Sequence, residues 1–176
     1  MLPKTGDPLF DQSYYTATAY SAPQPQELWG DHHADLVVIG AGYTGLATAL
    51  RAAEHGMKVI LLEEHFPGFG ASGRNGGQLI PGLRWDARTL IKSLGKERGR
   101  AVFDLSLTAQ KRVLARVVTH DIGCDLKPGH ATMAWNEDHY RDLGQEAECL
   151  TRDMGYADIE MGSPEKGKLV VASELY

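Results

Sequence analysis

The sequence predicts an α/β protein built on a parallel βαβ unit. Three observations carry this. Asp35–Ile39 is a short, β-branched apolar run of the kind that forms a buried parallel strand. A glycine-punctuated turn, Gly40 to Gly45, follows at once. Beyond it Leu46, Ala47, Ala49, Leu50 and Ala53 recur at helical spacing up to a stop near Gly56, and Lys58–Leu62 is a second apolar run. A strand, a helix and a parallel strand of this length imply a right-handed crossover.

Composition sets the outer bounds. The 176 residues suffice for one sizeable core or for one domain and part of a second. The net charge of −5 argues against a nucleic acid or an anionic membrane as partner, since both call for a basic face. No apolar run approaches the length of a membrane-spanning helix, and the first fifteen residues show no secretory pattern, so a cytoplasmic protein is expected. Cys124 and Cys149 lie too far apart for a CxxC pair and read as reduced thiols.

Before the βαβ unit, residues 1–33 are rich in Pro, Tyr, Gln and Ala without a period. They read as an extended arm, and Tyr14, Tyr15 and Tyr20 suggest that it packs on something. After the unit, Pro67–Gly82 is a Gly-rich polar loop. Helices are expected over Asp86–Leu94 and Lys96–His120, joined near Gly95. A strand pair or bent strand is expected over Cys124–Trp135, and a charged helix over Asn136–Met154 with Asn136 as its cap. A last short strand is expected over Leu169–Ala172.

The chemistry sits in the first turn. DLVVIGAGYTGLATAL places Gly40, Gly42 and Gly45 in a G-x-G-x-x-G pattern between a strand and a helix, the context that gives the pattern meaning. Gly40 permits the tight turn, Gly42 lets the backbone approach a pyrophosphate, and Gly45 lets the helix pack on the strands. The first-turn amides around Tyr43 and Thr44 then face an anion at the positive end of the helix dipole. Glu63 ends the second strand eighteen residues beyond Gly45, near the spacing at which a carboxylate accepts from ribose hydroxyls. An acid there disfavours a 2′-phosphate. Glu64 reads as a solvated strand end, with a register shift of one residue left open.

FAD and NAD share these features, and the next segment separates them. An NAD enzyme would continue into a helix, whereas this chain continues EHFPGFGASGRNGGQLIPG. That loop offers backbone amides, Ser72, Arg74 and Asn75 to a long anionic ligand, which favours FAD. An NAD-dependent dehydrogenase fragment and a non-catalytic FAD- or ADP-binding fragment remain the alternatives.

YYTATA, DLVVIGAGYTGLATAL and LLEEHFPGFGASGRNGGQLIPG together resemble the FAD-dependent amine oxidoreductases of the D-amino-acid oxidase and glycine oxidase superfamily, most of all its γ-glutamylputrescine oxidoreductases. GASGRNGGQ is the specific string. The resemblance is clear from Tyr14 to Gly82 and looser to the final SELY. It implies a Rossmann-type FAD-binding region over 34–125 with helical extension, then the beginning of an α+β substrate domain over 126–176. By the same resemblance Gly40, Gly42 and Gly45 hold the pyrophosphate and Glu63 the adenosine ribose. Ser72, Arg74, Asn75, Gly76, Gly77 and Gln78 line the cofactor between its phosphates and the flavin. The implied activity oxidises the C–N bond of a small amine or amino acid to an imine, with oxygen as acceptor. Family members are more than twice this length, so the expectation is an N-terminal fragment or truncated product, inactive alone.

Other features carry less. His32-His33 lacks companions at ligand spacing, so no metal site is expected. His130 reads as a loop histidine, and Trp29, Trp85 and Trp135 as packing. The basic residues of 96–120 read as a solvated helix face.

Overall fold

The structure is a computed structural model, and it describes residues 6, 11–19, 26–163 and 166. The chain divides into two compact units, Met1–Gln78 and Leu79–Tyr176.

The first unit holds the βαβ unit. Helix α1 spans Tyr14–Thr18, strand β1 Leu36–Ile39, helix α2 Tyr43–Glu54 and strand β2 Val59–Leu62. β1 and β2 pair in parallel, with Leu36 opposite Val59 and Ile39 opposite Leu62. The ladder continues past the strands, since Gly40 N–H donates to the Leu62 carbonyl at 2.7 Å. At the other end Asp35 N–H donates to the Lys58 carbonyl, and the Asp35 carboxylate accepts from Lys58 N–H.

Helix α2 packs on both strands. The stripe turned inward is made of small residues, Gly45, Ala49 and Ala52, spaced i, i+4, i+7 and half-buried. Of the residues that recur at helical spacing, Ala47 and Ala49 are half-buried, whereas Leu46, Leu50 and Ala53 are exposed. The reason is steric. A Cβ on Gly45 would stand 1.8 Å from the Gly40 carbonyl oxygen and 3.4 Å from Val38 Cγ1, so the helix sits too close for large residues at its point of contact.

The expected arm is not wholly extended. Its described part contains α1, capped by Ser13, whose hydroxyl accepts from Thr16 N–H at 3.1 Å. Serine at an N-cap satisfies an otherwise unpaired amide, a signal present in the sequence and outweighed there by the lack of period. Tyr15 packs its hydroxyl against Gly77, so one of the three tyrosines does dock on the Gly-rich loop. Tyr20 lies outside the described residues.

The second unit is helical where it is regular. Helix α3 spans Ala87–Leu94, α4 Lys96–Thr119 and α5 Glu137–Arg152. Ala87, Leu90, Phe103, Cys149 and Met154 form its core. Gly95, at φ +80°, ends α3 and begins α4. Gly99 then brings α4 against the backbone of Leu90 and Ile91. Asn136 caps α5 as expected, accepting from His139 N–H at 2.8 Å. Arg88 of α3 reaches Asp142, Gln145 and Glu146 of α5, and the Glu146 carboxylate also accepts from Ala87 N–H at 2.6 Å. One side chain thereby caps a helix 59 residues away in sequence.

The strand expected over Cys124–Trp135 is absent; the segment is irregular. Asp121, Asp125 and Gly129 have positive φ, which breaks an extended run, and among the described residues no third strand offers it a ladder. The strand expected over Leu169–Ala172 lies outside the described residues. Among the described residues no helix is long and apolar enough to cross a membrane.

The close approach of α2 to the turn separates two glycines by their tolerance. Gly45→Ala should lower the melting temperature sharply, by more than the roughly 1–3 kcal/mol of an ordinary overpacked site, because the obstacle is backbone. Gly42→Ala should melt close to wild type, since φ at Gly42 is −79° and its nearest neighbour is the movable Ser72 hydroxyl. Thermal melts followed by circular dichroism check both, and equal losses would refute the contrast.

The alternate face of β1 is open: Val37 is 53% exposed and Ile39 86%. Exposed β-branched residues on a sheet of two strands favour association. Ile39→Thr should therefore raise the monomeric fraction in light scattering with little change in melting temperature. Unchanged association would place the sticky surface elsewhere.

Candidate functional site: the glycine turn and its loop

The turn after β1 is held from three directions. Ala41 is fully buried, and both of its backbone groups are taken. Its N–H donates to Glu63 Oε2 at 2.6 Å, and its carbonyl accepts from Gly68 N–H at 2.9 Å. Tyr43 N–H, in the first turn of α2, donates to Ser72 Oγ at 2.9 Å. Gly40 adopts φ +94°, a conformation only glycine enters without strain.

Glu63 stands directly after β2 and turns toward this site. Its second oxygen accepts from His65 N–H at 3.1 Å. The Ala41 and His65 amides hold its carboxyl below the usual range, Ala41 contributing most, against a smaller opposing effect of burial. Glu64, its neighbour, is exposed. The alternation of a strand end sends the two side chains to opposite sides.

The loop after β2 folds back on the turn. Phe66 is buried and meets Phe69 edge-on, and His65 stacks on Phe69 at 4.1 Å between centroids. Arg74 lies over the Phe69 ring at 4.8 Å, while its Nε donates to the Phe69 carbonyl at 2.9 Å. A short 3₁₀ turn, Ala71–Gly73, brings Gly73 so close to the Gly68 carbonyl that a Cβ would stand 2.3 Å from its oxygen. Asn75 sits at the centre of this loop, with its amide reaching Tyr43 Oη, Ala71 and Ser72. Gly76, Gly77 and Gln78 continue it, exposed, and Gly77 has φ +67°. Thr44 is exposed on the first turn of α2.

The structure therefore gathers Gly40, Gly42, Tyr43, Gly45, Glu63, Ser72 and Asn75 around one turn. Thr44 and the residues from Gly76 to Gln78 stand at its borders. Three partners were not legible in the sequence: Ala41, whose amide Glu63 accepts; Gly68, which ties the loop to the turn; and Phe69, which holds Arg74. A cavity of about 330 Å³ beside the loop is lined by Ser13, Tyr14, Tyr15, Arg74 and Asn75.

A parallel strand, a tight glycine turn opening a helix and an acid closing the next strand define a dinucleotide-binding βαβ unit. Residues 35–171 match the family described as FAD dependent oxidoreductase, and the chain belongs to that family. It is 37% identical over 165 residues to a probable oxidoreductase OrdL of Haemophilus influenzae, covering 94% of this chain and 38% of that protein. It is 34% identical over 164 residues to the γ-glutamylputrescine oxidoreductase of Escherichia coli, covering 93% of this chain and 38% of that protein. A third relative, a probable oxidoreductase OrdL of Rhizobium meliloti, is 34% identical over 154 residues, covering 88% of this chain and 36% of that protein. No solved structure matches the chain. The chain thus spans little more than a third of the length of these relatives.

The lowered Glu63 carboxyl makes a pH prediction. A carboxylate stabilised in the fold contributes fully above its unfolded pKa, and that contribution is lost as pH falls through its lowered folded value. The melting-temperature gap between wild type and Glu63→Gln should therefore be widest near neutrality and close under acid conditions. Melts across an acid series check this; a gap independent of pH would show that the charge contributes nothing.

Proposed function

We propose that the chain is the cofactor-binding part of an FAD-dependent oxidoreductase that oxidises the C–N bond of a small amine or amino acid to an imine. The observation that carries the reading is the placement of Glu63 against the Ala41 amide, with GASGRNGG folded over the same turn. The fit is physical. The turn is built from glycines where backbone approaches backbone, the helix N-terminus opens beside it, and an acid stands at the end of the neighbouring strand.

In this reading Gly40, Gly42, Thr44 and Gly45 hold the diphosphate, Tyr43 acts on it through the Ser72 hydroxyl that its amide engages, and Glu63 accepts from the adenosine ribose hydroxyls. Ser72 and Asn75, with Arg74, Gly76, Gly77 and Gln78 along the loop, lie between the phosphates and the flavin. Ser72 Oγ accepts from Tyr43 N–H, which leaves its own proton to donate to a phosphate oxygen. When bound, FAD supplies a two-electron acceptor that takes a hydride equivalent from the carbon of a neutral amine and returns it to oxygen. The imine formed hydrolyses to a carbonyl compound and the free amine or ammonia. The likeness to γ-glutamylputrescine oxidoreductase supports a small γ-glutamylated or simple amine as substrate. Residues 34–125 are assigned to the cofactor region and the chain from 126 to the start of a substrate domain.

Flavin retention on purification tests the site. Gly42→Val should lose FAD with its helix content kept, because a branched side chain stands where the phosphate approaches. Glu63→Gln should weaken FAD binding by roughly 1.5–3 kcal/mol, the range of a charge-assisted hydrogen bond. Glu64→Gln should bind like wild type. A Glu64 variant weaker than the Glu63 variant would move the ribose contact by one residue, and NAD binding without flavin would overturn the reading.

A further inference from the structure

Asn75 is exposed, yet every polar atom of its side chain is engaged within the chain. Its Nδ2 lies 2.7 Å from the Ser72 carbonyl, 3.1 Å from Tyr43 Oη and 3.3 Å from the Ala71 carbonyl. Its Oδ1 accepts from Gly77 N–H at 2.8 Å. The amide orientation is dictated by these neighbours. Rotated by half a turn, its oxygen would face two carbonyls and its nitrogen would face an N–H. The contacts with Ala71, Ser72 and Gly77 are local, within the loop. The contact with Tyr43 spans 32 residues and joins the loop to the first residue of α2.

We propose that Asn75 is a positioning residue: its carboxamide ties the Ala71–Gly77 loop to the Tyr43 phenol and so sets the loop on the glycine turn before a ligand arrives. What the loop is set to receive rests on the FAD reading; the tie itself does not. The same tie serves two ends of the loop. Through Ser72 and Ala71 it fixes the 3₁₀ turn that places Ser72 Oγ on the Tyr43 amide. Through Gly77 it fixes a residue at φ +67°, whose face is closed by the Tyr15 hydroxyl. A loop held in this way loses little conformational freedom on binding, and the ligand does not have to order it.

The consequence differs from that of a residue touching the cofactor. A contact residue acts only in the complex. A positioning residue acts in the ligand-free protein as well, and its effect passes through its partners. Hydrogen exchange of residues 71–77 in cofactor-free protein separates the two. Asn75→Ala and Asn75→Asp should both speed exchange across the loop; the aspartate keeps the acceptor for Gly77 N–H but sets a carboxylate against two carbonyls. Tyr43→Phe, which removes one hydroxyl and leaves the helix intact, should speed it less. Titration with FAD should then show Asn75→Ala weaker by about tenfold and Tyr43→Phe by about threefold, as expected for lost neutral hydrogen bonds. The double variant should be no weaker than Asn75→Ala alone, because both remove one link. The absorption bands of the flavin that does bind should match wild type.

Loop exchange unchanged in the cofactor-free variants, with affinity reduced or bands shifted, would make Asn75 a direct contact and overturn the proposal. Additive losses in the double variant would overturn it as well. If wild type takes up no flavin, the FAD reading falls, and faster loop exchange in Asn75→Ala and Tyr43→Phe still upholds the tie.

Discussion

The first unit depends on one close approach, that of Gly45 to the Gly40 carbonyl. A helix can begin this near the end of a strand only where no Cβ intervenes, and 1.8 Å leaves no room for one. Once α2 starts there, Ala41 is enclosed and its two backbone groups need partners that water no longer supplies. Glu63 satisfies the N–H and Gly68 the carbonyl, from opposite ends of the segment that follows β2. The buried peptide of the turn thus recruits the end of the second strand and the start of the loop. A glycine pattern usually described by the ligand it admits is here, first, the joint on which the unit closes.

How much of this the sequence disclosed depends on distance along the chain. The strand, the turn and α2 were legible because their signals are local: apolar runs, glycine spacing and helical period. The cap at Asn136 and the joint at Gly95 were legible for the same reason. The periodic set of α2 mixes half-buried Ala47 and Ala49 with exposed Leu46, Leu50 and Ala53, because periodicity ranks residues by hydrophobicity, whereas contact at this spacing selects for smallness. The strand expected over Cys124–Trp135 failed because an apolar run becomes a strand only when a ladder partner exists, and a partner is a property of the fold. The links from Ser72 and Asn75 to Tyr43, and from Glu146 to Ala87, span between 29 and 59 residues, and no local pattern announces them.

The loop is therefore best understood as a second floor built on the turn. Its glycines divide by task. Gly68 donates to Ala41, Gly73 yields space to the Gly68 carbonyl, and Gly77 turns through positive φ under Tyr15. The polar residues between them are largely occupied with holding the loop together: Arg74 on Phe69, Asn75 on Tyr43 and on its own backbone. A string that looks from sequence like a row of ligand contacts contains at least two side chains, Arg74 and Asn75, that hold the loop itself in place.

Glu63 shows why one carboxylate can serve both structure and ligand. Each of its oxygens has two lone-pair directions, and the Ala41 and His65 amides use one apiece. On the FAD reading, the lone-pair directions left over accept the ribose hydroxyls. A glutamine could keep the bond to Ala41 N–H, but its amide would then meet the His65 N–H donor to donor. Charge matters as well, because the backbone amides aimed at this carboxyl, Ala41 first among them, stabilise the ionised form and lower its pKa from the ordinary carboxylate value. That ionised oxygen is a strong acceptor for a hydroxyl and a repulsive neighbour for a phosphate. On the FAD reading proposed above, the contact that holds the turn closed is also the one that favours a plain ribose over a phosphorylated one.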